Sequence, residues 1–480
     1  MNIKVTFQII SFALIFSLLA CGQTSNPAAP GGSAENPDIH ITVQNSTATG
    51  SAYLVGVEAE RQFIIDSALI DAKGMIHFKR TTPYPQGLVY CVVGNANFPL
   101  LIAEDQTFSM TTAAPDFIGT MEVKDNRESE LLYENLRFEI AQQPALQSVN
   151  QRLKGLAKTD PAYATTKAEQ EKLMADLKTH LTELYARRAG TFFEKYKRAG
   201  QNPEIREIKN ADGTPNNDAQ VFLFKQDMWD LVDFNDPRLL STPIIPAKLR
   251  TYLFDLTYQR SDSLIAATDQ LMRRVMDKPK YYQFFVNFIG VNFDPTNSTL
   301  MDAENVYVHV LQNYFTKEKA TWADSMTIYG LQLRAYEMQA SLVGRKGPDV
   351  TINDITGKPR SLYDIKAPYI IIFMYRPDCE HCIEETPKLV QFYKKWNPQG
   401  VEVFAIAMDT QEALWKDFVQ KNKMNWINVF DPSNKSIYAK YFVDDTPEIY
   451  ILNKDRTIIG KNLKVEQIET ILQRDKQGLN

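Results

Sequence analysis

Tyr369-Ile370-Ile371-Ile372-Phe373-Met374 and, after a short turn, Cys379-Glu380-His381-Cys382 read as a buried strand feeding a helix that carries two cysteines at its start. Two cysteines at this spacing and place suit a dithiol that opens and closes a disulfide. Free backbone N–H groups and the positive end of the helix dipole stabilise a thiolate on Cys379. Only the thiolate attacks, and Cys382 one turn later can resolve the mixed disulfide. A structural zinc site needs four ligands, and the other two cysteines, Cys21 and Cys91, are far upstream. No histidine follows His381, which argues against copper delivery by two cysteines and a distal histidine. A redox dithiol is expected, and no metal.

Lys4 precedes a mostly apolar run from Val5 to Ala20 that ends in Leu18-Leu19-Ala20-Cys21. A positive start, an apolar stretch and a small residue before the cut describe a secretory signal over residues 1–20. The run falls short of the roughly 20 residues of a comfortable membrane span. Cysteine after Leu-Leu-Ala resembles a bacterial lipobox, which implies cleavage before Cys21, a lipid on its sulfur and attachment to a membrane. No acidic run follows Cys21, so a periplasm-facing lipoprotein is expected. Residues 21–38, rich in Gly, Pro, Ser, Asn and Ala, read as a flexible tether. An oxidising compartment uses disulfides, so the export signal and the dithiol support one another.

At 480 residues the chain has room for about three domains. A net charge of −5, small and dispersed, points to neither nucleic acid nor a polybasic membrane surface. Residues 39–115 carry short β-rich runs, among them Ile41-Thr42-Val43, Ala52-Tyr53-Leu54-Val55 and Leu88 to Val93, and predict a small antiparallel β-sandwich. Cys91 falls in the last run as a buried core thiol. Asp66, Asp71 and Gly74 read as turn residues rather than metal ligands. Residues 120–343 change to helical spacing: Leu173, Leu177, Leu181 and Leu184 form one apolar stripe, and Tyr281, Tyr282, Phe284 and Phe285 read as core. Val343-Gly344-Arg345-Lys346-Gly347-Pro348 marks a boundary, beyond which strands and helices alternate as in an α/β layer fold.

Residues 345–480 resemble a thioredoxin-fold protein, and more narrowly the TlpA/ResA-like family of membrane-tethered thiol-disulfide oxidoreductases. Gly347-Pro348-Asp349, with Asp354-Ile355-Thr356-Gly357-Lys358 and Leu362, resembles that family's extra N-terminal hairpin. Cys379 and Cys382 match its redox pair, Glu385 its glutamate near the active site, Pro387 its helix proline, and Thr446-Pro447 its cis-proline loop. The resemblance implies that Cys379 attacks, Cys382 resolves, and Thr446 with Pro447 seats an extended substrate. Glu385, one turn beyond Cys382, is expected to carry a raised pKa and relay protons.

The family usually has tryptophan before the first cysteine; here Arg376-Pro377-Asp378 precedes it. Asp378 disfavours the thiolate, whereas a partly protonated His381 favours it, as in Cys-Pro-His-Cys sites of disulfide donors. Arg376 adds to the latter if it turns toward the site. The resemblance leans toward reduction of protein disulfides, with electrons from a membrane thiol relay and no small-molecule cofactor. An oxidase or isomerase on the same scaffold, and a binding lipoprotein with a structural thioredoxin-like module, are the alternatives.

Overall fold

The computed structural model describes residues 36–478 apart from 59 and 444. The expected signal peptide, Cys21 and most of the tether lie outside the described residues. Among the described residues no helix is long and apolar enough to cross a membrane. The chain divides at Leu256/Thr257 into two compact units.

The first unit begins with β1 (Asp38–Gln44), β2 (Ser51–Glu58), β3 (Arg61–Leu69), β4 (Met75–Lys79), β5 (Gly87–Val93), β6 (Ala96–Ile102), β7 (Thr107–Ala113) and β8 (Glu122–Lys124). They form two four-stranded sheets, β4-β1-β7-β8 and β3-β2-β5-β6. Period-two burial accounts for the strands: Ile39, Ile41 and Val43 of β1 point inward, and they join Phe78, Phe108, Leu54, Cys91 and Phe98 in one core drawn from both sheets. The wholly antiparallel arrangement expected from the sequence is corrected at one ladder, where β1 and β7 run parallel. Parallel neighbours need a long connection, and here five strands intervene.

Asp71 is the turn residue expected, accepting the N–H of Lys73 at 2.8 Å and of Met75 at 2.7 Å. Gly74 beside it has φ +76°, and a Cβ there would meet the Val43 carbonyl oxygen at 2.3 Å. Asp66 is instead inside β3, at a register shift opposite Leu54 and Val55, and accepts the Tyr84 hydroxyl at 2.6 Å.

Helices α1 (Arg127–Gly155), α2 (Pro161–Arg187), α3 (Phe192–Gly200), α4 (Asn217–Asp227) and α5 (Ile244–Arg250) complete this unit. Asn126 caps α1 by accepting the Ser129 N–H at 2.8 Å and also donates to the Leu101 carbonyl at 3.0 Å, which clips the helix start to β6. On α2 the stripe Leu173, Leu177 and Leu181 is half-buried and Leu184 is buried.

The second unit starts with α6 (Ser261–Val275), α7 (Pro279–Phe293), α8 (Ala303–Tyr314) and α9 (Ser325–Met338). It continues through β9 (Thr351–Asn353), β10 (Pro359–Ser361), β11 (Tyr369–Tyr375), α10 (Glu380–Trp396), β12 (Val401–Met408), α11 (Glu412–Asn422), β13 (Ile427–Asp431), α12 (Lys435–Tyr441), β14 (Glu448–Leu452), β15 (Ile458–Gly460) and α13 (Val465–Lys476). The main sheet has the order β13-β12-β11-β14-β15. Its first three strands are parallel and the last two antiparallel. All seven residues of β11 are buried, which is why this strand reads as an unbroken apolar run. Leu389, Trp415, Phe418 and Leu472 cover one face of the sheet, and Leu362, Ile437 and Tyr441 cover the other.

The helical region of residues 120–343 is thus shared between the units, and α6–α9 pack with the α/β layer. The Ser341 hydroxyl donates to the Tyr441 carbonyl at 3.0 Å, and Asn305 Nδ2 to the Val343 carbonyl at 3.1 Å. Tyr281, Tyr282 and Phe285 are buried core residues, as expected, whereas Phe284 is only half-buried. Residues 344–347 follow the edge strand closely. The Gly344 N–H donates to Ile458, the Ile458 N–H to Arg345 and the Gly347 N–H to Arg456, each at 2.8 Å. Lys461, just after β15, donates to Glu304 Oε2 of α8 at 2.5 Å, and Asn462 donates to Glu304 Oε1 at 3.2 Å. The Lys461 and Glu304 side chains are only 1% and 7% exposed.

A buried pair of this kind makes each charge dependent on the other. Glu304→Ala is expected to cost about 3–5 kcal/mol, while Glu304→Leu with Lys461→Met returns most of it. Urea unfolding followed by tryptophan fluorescence checks this. A loss below about 0.5 kcal/mol for Glu304→Ala, the size of an ordinary surface change, would show that the pair is not needed.

Candidate active site

Cys379 is the N-cap of α10, and its carbonyl accepts the first helical bond, from the Ile383 N–H at 3.0 Å. The end of β11 and the start of β14 lie side by side, with Met374 opposite Glu448. That register brings the Thr446-Pro447 loop to the dithiol. The Thr446–Pro447 peptide is cis, and the Cys379 thiol donates to the Thr446 carbonyl at 3.2 Å. Cys379, Cys382, Thr446 and Pro447, expected together from the sequence, therefore meet at one end of the sheet.

The two thiols differ in their surroundings. Cys379 is half-buried and Cys382 fully buried, and both are free. Burial alone would raise the Cys379 thiol. Hydrogen bonds from the Cys382 thiol and N–H, from the Thr446 side chain and from the His381 N–H outweigh it, and Cys379 sits below the ordinary cysteine value. Burial pushes Cys382 up to about 12, with the backbone at Arg376 offsetting only part of the effect. The result is a half-buried thiol that ionises more readily than an ordinary cysteine and a buried one that holds its proton more tightly.

The flanking charges largely cancel. Arg376 grips Asp378 through Nε at 3.2 Å and Nη2 at 3.1 Å, and this pairing holds the Asp378 carboxyl below its usual range. The His381 imidazole is 79% exposed, with Nδ1 3.8 Å from Glu384 Oε2. Its contribution to the Cys379 thiolate comes through the backbone N–H.

Glu385 corrects an expectation. Burial works to raise it, but Lys388 Nζ at 2.6 Å and the Val465 N–H at 3.0 Å outweigh burial and hold its pKa down instead of up. The carboxylate ties the first turns of α10 to the start of α13. Tyr375, the last residue of β11, is a neighbour that the sequence does not flag. Burial raises its hydroxyl, with the Trp415 side chain opposing and Cys382 adding to the rise. Its ring stacks on Phe373 with centroids 5.0 Å apart. The signal was present in the alternation Phe373, Tyr375 on one strand face. Cys91 is fully buried in the first unit, and burial raises its thiol.

Residues 343–467 match the model of the AhpC/TSA family, and residues 164–329 match a domain of unknown function, DUF5106. Over 136 residues the chain is 29% identical to the thiol-disulfide oxidoreductase ResA of a Bacillus cereus strain, covering 28% of this chain and 78% of that protein. The C-terminal domain is ResA/TlpA-like. Against the ResA of Bacillus subtilis (strain 168) it is 26% identical over 122 residues, 25% of this chain and 65% of that one. Among solved structures, a domain of a possible thiol-disulfide isomerase from Cytophaga hutchinsonii is 34% identical, with a TM-score of 0.27 over 29% of this chain and 95% of that one. A thioredoxin-like protein from Bacteroides caccae is 21% identical, with a TM-score of 0.47 over 57% of this chain and 97% of that one. The ResA/TlpA-like domain is a thioredoxin-like thiol-disulfide oxidoreductase.

The unequal thiols set the outcome of alkylation. With its pKa lowered, Cys379 is expected to react with iodoacetamide at a rate whose pH midpoint lies below that of an unperturbed cysteine, while Cys382 stays unmodified through neutral pH. Mass spectrometry after timed quenching reads both. Equal labelling of the two cysteines would contradict the assignment.

Proposed function

We propose that the chain is a lipid-anchored, periplasm-facing reductase of protein disulfides, with Cys379 as nucleophile and Cys382 as resolving thiol. The observation that carries the reading is the pairing of a half-buried, lowered Cys379 at the helix start, bonded to the Thr446 carbonyl, with a fully buried Cys382. The Cys379 thiolate attacks one sulfur of a substrate disulfide, forming a mixed disulfide and releasing the other sulfur as thiolate. Cys382 then gives up its proton and attacks Cys379 Sγ, which frees the second substrate sulfur. Two electrons pass to the substrate, and the Cys379–Cys382 disulfide left behind is re-reduced by a membrane thiol relay. Thr446 and Pro447, both half-buried beside Cys379, seat the substrate chain through their backbone.

The reducing direction is supported by what the thiolate lacks. A strong oxidant owes its potential to a heavily stabilised thiolate, and here the His381 imidazole faces solvent beside Glu384 while Arg376 is spent on Asp378. Glu385 is proposed to position the start of α10; relaying a proton would require it to release Lys388. Lipidation at Cys21 and the tether would give the folded units reach from the membrane.

Trapping the thiols of residues 22–480 across a glutathione series tests the direction. A potential near that of thioredoxin, about −270 mV, is expected. A value approaching about −120 mV would overturn the reductase reading in favour of a disulfide donor or isomerase. With Cys382→Ser, a stable mixed disulfide on Cys379 is expected in cell-envelope extracts, and Cys379→Ser should form none.

A further inference from the structure

Among the described residues, one group of imidazole and carboxylate ligands converges outside the dithiol: Asp38, His40 and His77, whose ligand atoms all lie within 4.8 Å of one another. The sheet builds this group. β1 and β4 are antiparallel, with His40 directly opposite His77 and Asp38 opposite Lys79. Alternate residues of a strand share a face. Ile39, Ile41, Ile76 and Phe78 therefore fill the core, while Asp38, His40, His77 and Lys79 stand on the outer face. The two imidazoles stack with centroids 4.2 Å apart and planes 16° apart. Both aim Nε2 at one atom, Asp38 Oδ1, from 2.8 Å for His40 and 2.7 Å for His77. Two of the five histidines of the chain are thus held with their nitrogens converging, on an inner strand and its partner.

We propose that Asp38, His40 and His77 bind one late first-row divalent cation, of the Zn²⁺ or Cu²⁺ class, with its remaining positions open to water or an external ligand. Two neutral imidazoles and a carboxylate are the donor set such ions prefer. Metal–ligand distances of about 2.0–2.2 Å put donors on a common ion roughly 3 Å apart, so the observed approach needs only small side-chain rotations. The ladder supplies preorganisation, since His40 and His77 are fixed opposite one another before any ion arrives. Asp38 supplies the oxygen donor, its Oδ1 turned to the two imidazoles and its Oδ2 to Lys79. Lys79 is the competing group, with Nζ 3.0 Å from Asp38 Oδ2. It sits on the other carboxylate oxygen, and its side chain is 62% exposed and free to swing away.

The test is calorimetric titration of Zn²⁺ into the full chain, made without a histidine tag and carrying Cys379→Ser and Cys382→Ser so that the dithiol cannot take the ion. One equivalent is expected to bind. His40→Ala and His77→Ala should each weaken binding by about tenfold or more, on the order of what support of a metal site is worth. Lys79→Met should strengthen it. Cu²⁺ added to the same protein should give an electron paramagnetic resonance spectrum with coupling to two nitrogens, reduced to one by either histidine change. Unaltered circular dichroism of the two histidine variants separates lost ligation from lost folding. Binding that survives both substitutions, or no binding by the parent chain, overturns the proposal.

Discussion

The end of one buried strand and the start of one helix set the chemistry of this molecule. β11 lies in the middle of its sheet with every side chain covered, so the chain that leaves it emerges in a fixed place and direction. The helix that follows begins with N–H groups that have no partner within the helix. Cys379 is placed to receive them, and the loop before β14 closes the other side because β14 is laddered to β11. The placement of Cys379, Cys382 and the Thr446-Pro447 loop is therefore a consequence of a single strand register.

From that register comes the inequality of the two sulfurs. They are three residues apart on one helix, yet the first looks outward and the second is sunk among Phe373, Tyr375, Trp415 and Phe418. Burial penalises charge on both, and only Cys379 collects enough hydrogen bonds to overcome it. A dithiol works in one order when one sulfur is charged first and the other cannot be charged until the bond is made. Here burial of Cys382 supplies the difference between the two thiols, with the surface charges of Arg376 and Asp378 balanced against one another.

Much of the second unit was legible in the sequence because its signals are local. An unbroken apolar run, a C-x-x-C at a helix start and a Thr-Pro pair are each complete within a few residues. Signals that depend on distant partners were not. That α6–α9 pack with the α/β layer depends on Glu304 meeting Lys461 and Ser341 meeting Tyr441, pairings 157 and 100 positions apart. The parallel run of β1 beside β7 is likewise set by the route of the chain between the sheets. Glu385 was placed on the right helix, but its pKa is governed by Lys388 and by the N–H of Val465, which no helical wheel shows. α12, seven residues long and bounded by left-handed Asn434 and Phe442, is too short for a periodic pattern to announce it.

The segment that joins the helices to the α/β layer has a role beyond connection. β15 ends its sheet, and a bare final strand offers unpaired N–H and C=O groups to any extended chain it meets. Residues 344–347 occupy that rim, exchanging hydrogen bonds with Arg456 and Ile458. Under the function proposed above, its substrates would be extended protein chains, whose backbone could pair with such an edge. By covering the rim with its own chain, the molecule leaves fewer of those groups free to pair with another strand.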